Sequence, residues 1–103
     1  MKNIVYLIVL ITQIIFGQNG FEKGNALYQK GNYKQAITAY ESVLAANQHS
    51  ADLYFNLGNC YYKLNKVAPA IYNYEKALLL NPDDSEIVNN LAFAQKLQID
   101  EIK

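Results

Sequence analysis

The 103-residue sequence has no arginine and no tryptophan, and it carries one cysteine, one histidine and two prolines. A single cysteine closes no internal disulfide, and one cysteine with one histidine makes no ligand set at zinc spacing. Nine lysines against nine carboxylates give a formal net charge of zero, which removes the basic footprint of a nucleic-acid binder. The length excludes a large multidomain enzyme. No glycine-rich stretch has phosphate-binding spacing. His49 lies in the loop Asn47-Gln48-His49-Ser50 with no adjacent acid to orient it, so no nucleophile, base and orienting acid assemble. These absences predict a chain without catalytic residues, metal or cofactor.

What is abundant is apolar surface and tyrosine: hydrophobic residues make up 51% of the chain, and nine residues are Tyr. The apolar excess is concentrated at the start, where Met1-Lys2-Asn3 precedes a run from Ile4 to Phe16 broken only by Thr12 and Gln13. This run is too short for a hydrocarbon core of roughly 30 Å, which takes about 20 helical residues. It fits the apolar region of a secretory signal peptide, residues 1–17, with Gly17 as the small residue before the cut. An uncleaved short anchor or a buried helix is the competing reading. On the signal reading, residues 18–103 are exported to the periplasm or cell envelope.

Sliding the sequence against itself gives an internal match at an offset of 34, pairing 17–50 with 51–84. Ten pairs are identical: Phe21/Phe55, Gly24/Gly58, Asn25/Asn59, Tyr28/Tyr62, Ala36/Ala70, Ile37/Ile71, Tyr40/Tyr74, Glu41/Glu75, Leu44/Leu78 and Asn47/Asn81. Their separations are helical, and they fall into two groups divided by a turn, so each unit reads as a helical hairpin. Gly31-Asn32 and Asn65-Lys66 mark the turns inside the hairpins. Asn47 and Asn81 follow the second helices, where a left-handed residue commonly ends a helix, and Pro82 prevents continuation. Helices are predicted at about 20–30, 34–46, 51–64, 67–80 and 85–98, with Pro69 tolerated in a first turn. Gly24, Gly58 and Ala92 occupy one equivalent position, where small residues let helix axes approach to about 8–10 Å.

The pattern resembles the tetratricopeptide repeat. In the second unit Tyr54, Leu57, Gly58, Tyr61, Ala70, Tyr74, Ala77 and Pro82 stand at the family's eight signature spacings. The first unit keeps Gly24, Ala36 and Tyr40 but has Gly20, Lys23, Leu27, Val43 and Gln48 at the other five, as suits a terminal repeat. The resemblance implies an all-α solenoid of two full repeats, 17–50 and 51–84, with 85–98 as a capping helix carrying Val88, Leu91 and Ala92 in register. Cys60, within YFNLGNCYY, falls where the family packs a small residue, which implies an inert buried thiol in preference to a redox one. The stretch from Tyr54 to Gln95, preceded by a signal peptide, is also similar to the repeat region of BatE-type proteins from aerotolerance operons of Bacteroidetes-like bacteria. That similarity implies partners among envelope components of the same operon, with membrane association through those partners or through a further segment.

A solenoid of this kind has a concave face lined by the first helix of each repeat. On that geometry the candidate binding residues are Phe21, Asn25, Tyr28, Phe55, Asn56, Asn59, Tyr62, Lys63, Asn89, Asn90, Phe93 and Lys96, with Glu22, Gln29, Asp52 and Glu86 beside them. The asparagines both donate and accept hydrogen bonds, which suits an extended peptide backbone, and the aromatics offer apolar area to its side chains. The competing reading has the asparagines merely solvated and the aromatics packed between repeats. Some family members clamp a terminal carboxylate with two Asn and several basic residues. Here Asn25 and Asn56 match the Asn positions, but Phe21, Glu86 and Asn90 replace the cations, which argues against such a clamp. The sequence therefore predicts a non-catalytic module binding an extended peptide or a partner helix. Self-assembly into a scaffold is the first alternative and a Cys60-based redox protein the second.

Overall fold

The computed structural model of the chain describes residues 19–102; the predicted leader, residues 1–17, lies outside them. Among the described residues the architecture is all-α: α1 at residues 19–29, α2 at Tyr33–Ala45, α3 at Ala51–Lys63, α4 at Val67–Leu80 and α5 at Ser85–Ile102. None of these helices is long and apolar enough to cross a membrane.

The ends of the helices follow from particular residues. Gly31, Asn47 and Asn65 all take left-handed backbone, at φ 79°, 62° and 61°. Each closes a preceding helix with the same pair of bonds. After α1 these run from Gly31 N–H to Tyr28 C=O and from Asn32 N–H to Leu27 C=O, and Asn47-Gln48 and Asn65-Lys66 repeat the pattern. Asn81 breaks it. Its φ is −145°, because a residue before proline is driven to extended backbone, and Pro82 follows. The predicted left-handed stop at Asn81 is therefore corrected: α4 ends by proline, not by an asparagine cap. The helix starts obey a second rule, also at an offset of 34. The Ser50 hydroxyl accepts from Leu53 N–H at 3.1 Å to open α3, and Asp84 Oδ1 accepts from Glu86 and Ile87 N–H at 2.9 and 3.2 Å to open α5.

Each hairpin closes around an aromatic ring lying on a glycine. A Cβ built on Gly58 would sit 2.6 Å from Cδ1 of Tyr74, and Gly24 faces Tyr40 in the same way. The missing side chain is what lets the ring of the second helix lie flat against the backbone of the first. Two buried clusters result. One joins Ala36, Tyr40 and Val43 of α2 to Leu53, Leu57 and Cys60 of α3. The other joins Tyr54, Val67, Ala70, Tyr74 and Ala77 to Ile87 and Ala94 of α5. Leu44 and Tyr61 pack against both, so the hairpins share a continuous core.

Helix α5 keeps the register of α3 and packs through one face of it. Ile87 and Ala94, the counterparts of Leu53 and Cys60, are its buried residues. Val88 is 46% exposed, and Ala92 is exposed as well. These two are the counterparts of Tyr54 and Gly58, which on α3 face α4. Among the described residues no helix follows α5, so on this capping helix the same register leaves an exposed apolar row.

The ring-on-glycine contact yields a stability prediction. Gly58→Ala forces Tyr74 out of its slot and should lower unfolding free energy by about 1–3 kcal/mol, the usual range for overpacking. A urea titration followed by circular dichroism checks it, and an unchanged midpoint would show that the slot has room to spare.

Candidate functional site

The polar centre of the molecule is a hydrogen-bonded node that occurs twice. In the first copy Asn25 Oδ1 accepts from the Tyr40 hydroxyl at 2.6 Å and from Asn56 Nδ2 at 3.0 Å. In the second, Asn59 Oδ1 accepts from the Tyr74 hydroxyl at 2.5 Å and from Asn90 Nδ2 at 3.0 Å. Each node ties three helices together: the first helix of a hairpin, the second helix of that hairpin, and the first helix of the next unit. The ring that lies on glycine thus carries its hydroxyl to an asparagine adjacent in sequence to that glycine. Burial raises the pKa of both phenols, that of Tyr40 to about 12 and that of Tyr74 further still. Both remain donors across the physiological range. Phe21 and Phe55 pack against the same two rings with centroids 6.0 Å apart in each pair.

Beside the second node lies a hollow of about 290 Å³, lined by Tyr28 of α1, Asn59, Tyr62 and Lys63 of α3, Tyr74 of α4, and Asn90 and Phe93 of α5. Six of the twelve candidate residues converge there: Tyr28, Asn59, Tyr62, Lys63, Asn90 and Phe93. Phe93 is 60% exposed, a bare aromatic face at the rim. The other candidates are placed differently. Asn25 and Asn56 are engaged in the first node, and Phe55 is half-buried against Tyr74. Phe21, with Glu22 and Asp52, borders a separate hollow of about 510 Å³ that also takes in His49. Asn89 and Lys96 are exposed on α5, outside both hollows.

Against this geometry, residues 24–65 match a family model described as TPR repeat, and residues 51–84 match one described as tetratricopeptide repeat. Together the two matches span more than half of the chain. The chain belongs to the tetratricopeptide-repeat family. No curated protein matches it. Tetratricopeptide repeats generally mediate protein–protein interactions. In this tetratricopeptide chain the signature residue Tyr74, seated on Gly58, lines the hollow, and residues between signature positions supply the rest of its lining.

Tyr74 is the lining residue outside the twelve candidates, and it stands at a signature position of the repeat. Its signal is present in the sequence: Tyr40 and Tyr74 recur at 34, while Asn25 to Asn56 and Asn59 to Asn90 both span 31 residues. A spacing of 31 within a 34-residue repeat connects one first helix to the next.

Cys60 is fully buried, and burial pushes its thiol up to about 12. His49 is turned elsewhere, with Nδ1 2.6 Å from the Tyr54 hydroxyl. Among the described residues no three His, Cys, Asp or Glu side chains are grouped to hold a metal ion.

Two predictions follow from the nodes and the thiol. Asn59→Ala leaves the Tyr74 hydroxyl and the Asn90 amide without their acceptor and should cost about 1–3 kcal/mol. Tyr74→Phe in the same background should cost less than it does in the parent chain, and a double-mutant cycle by urea unfolding measures that coupling. The second concerns pH. Folding holds the Cys60 and Tyr40 protons more tightly than the unfolded chain does, so their contribution is complete below the unfolded pKa values of 9.0 and 10.0. It is lost as pH rises toward the folded values near 12. The urea midpoint should therefore fall as pH increases above 9, and Cys60→Ala should flatten the earliest part of that fall. Native Cys60 should meanwhile resist iodoacetamide at neutral pH.

Proposed function

We propose that this chain is a non-catalytic interaction module that receives an extended segment, or one face of a helix, of a partner protein on the side where α1, α3 and α5 meet. The observation that carries this reading is the convergence of Tyr28, Tyr62, Phe93, Lys63, Asn59 and Asn90 on one hollow from three first helices. About 290 Å³ lies at the lower limit of small-ligand sites, so the hollow suits one or two side chains anchored while the rest of the segment runs over the surface. The hollow is preformed by the Asn59 node, which leaves most of the ordering cost with the ligand.

Self-association is a second reading, favoured by the exposed row Val88, Ala92 and Ile99 on α5. A redox role for Cys60 has no support from its burial and raised thiol pKa. Export to the envelope, operon partners and a part in aerotolerance rest on the sequence similarity to BatE-type proteins and on the apolar run Ile4–Phe16. The family matches speak only for the repeat.

The groove reading is tested with the full chain immobilised and exposed to a phage-displayed peptide library. Selected peptides should lose at least about tenfold in affinity for Tyr62→Ala/Phe93→Ala and also weaken for Phe93→Ala alone, whose exposed side chain leaves helicity unchanged, whereas Tyr62 packs partly against the Tyr74 cluster. Undiminished binding to that variant would move the site elsewhere. Sedimentation over a concentration range tests the second reading, which a strict monomer would exclude.

A further inference from the structure

A further hollow, of about 530 Å³, lies on the other side of α3. Its floor is Tyr54, Leu57 and Tyr61, which at 3.6 residues per turn stand nearly opposite Asn59, Tyr62 and Lys63. Its walls come from the second helices, Glu41 and Leu44 of α2 facing Pro69, Tyr72 and Asn73 of α4. Asn73 is the one buried polar residue among the described residues, 7% exposed. Its counterpart 34 residues earlier is the equally buried Ala39, so the repeat itself has no need of an amide there. Asn73 Nδ2 donates to the Pro69 carbonyl at 2.9 Å, and Oδ1 accepts from no group among the described residues. No side-chain oxygen without a partner is sealed from solvent among those residues. For Asn73 the opening is the hollow, which therefore holds an acceptor desolvated on all other sides.

The remaining polar lining has the same sign. Glu41 is the one charged residue lining the hollow. Its Oε1 accepts from the Tyr61 hydroxyl at 3.2 Å, and its Oε2 has no partner among the described residues. Burial and the Glu41 charge raise the Tyr61 pKa, so that hydroxyl stays a donor turned toward the carboxylate. Tyr61 and Tyr72 add ring surface, and the Tyr72 ring already carries a cation, with Lys76 Nζ 5.6 Å from its centroid. Lys76 itself is outside the lining.

We propose that this outer hollow takes the guanidinium of an arginine side chain from a partner protein, its N–H groups reaching Glu41 Oε2 and Asn73 Oδ1 while its plane lies against the tyrosine rings. A guanidinium suits the place better than an ammonium, because its planar fork donates to two acceptors at once and stacks on an aromatic face. The sequence contains no arginine, so a second copy of it cannot supply the group. Glu41 is exposed, and water competing for its charge keeps the preference moderate. The site shares no lining residue with the hollow beside the second node, so it stands apart from the groove reading.

The experiment passes three degenerate libraries of ten-residue peptides, acetylated and amidated, over the immobilised full chain. Their central residue is Arg, Lys or citrulline, the last having the shape of arginine without its charge. The Arg library should be retained about fivefold or more above citrulline, with Lys between them, and added salt should reduce the ratio. Glu41→Gln should bring the ratio to about one, and Asn73→Ala should lower it at least about threefold. Both variants should keep the parent's helicity by circular dichroism, since the first retains an acceptor for the Tyr61 hydroxyl and the second installs what the first hairpin already buries at Ala39. Phe93→Ala, at the other hollow, should leave the ratio unchanged. Equal retention of Arg and citrulline, equal retention of Arg and Lys, or retention of no library would overturn the inference. An Arg preference lost with Phe93→Ala would overturn it by placing the guanidinium in the groove. An Arg preference that survives both Glu41→Gln and Asn73→Ala would overturn it by showing that the Asn73 amide serves only the first turn of α4.

Discussion

Everything in this small solenoid depends on one contact made twice, a tyrosine ring from the second helix of a hairpin laid on a glycine of the first. The glycine removes the Cβ that would otherwise collide with the ring. The ring then delivers its hydroxyl to the next residue, Asn25 or Asn59, whose oxygen also takes an amide proton from the following unit. Packing inside a hairpin and pairing between hairpins are thus settled by the same three residues. Burial of the phenol keeps it protonated, so the node behaves as a permanent strut across ordinary pH.

The candidate site is a by-product of that strut. The hollow exists because Tyr74 and Asn59 are held together at its floor, and the rim comes from Tyr28, Tyr62, Lys63 and Phe93 on neighbouring helices. On the proposed groove reading, structure and recognition share atoms. A change at Asn59 would then act on both, whereas a change at Phe93 or Lys63, which stand at the exposed edge, would act on recognition alone.

The repeat was legible because each identity at 34 residues reports a contact that both hairpins need, and helix limits followed to within a residue for the first four helices. Helix α5 runs to Ile102 instead of 98, since no glycine, asparagine or proline after Leu97 stops it. One local reading failed for a reason that residue spacing does not carry. Asn81 resembles Asn47, but the proline behind it decides its backbone. Val88 and Ala92 stand at signature positions, yet those positions describe what a helix shows to the one after it, so burial passed to Ile87 and Ala94. At the site, residue type and face were readable, which brought six candidates to one hollow. The division of labour within each asparagine was not, because it depends on partners 15 and 31 residues away on other helices.

The bare row on α5 makes the two ends of the stack chemically unlike. The counterparts on α1 of the residues through which α3 and α5 grip the preceding unit are Asn19, Lys23 and Ala26, all exposed, where α3 has Leu53, Leu57 and Cys60. Beside these residues the α1–α2 side carries a hollow of about 710 Å³ that also takes in Gly20, Leu27 and Ala39, so the two outer helices offer apolar surface of different shape. Among the described residues the repeat's own register therefore ends in unlike chemistry: Asn19 and Lys23 stand exposed on α1 where α5 exposes Val88, Ala92 and Ile99.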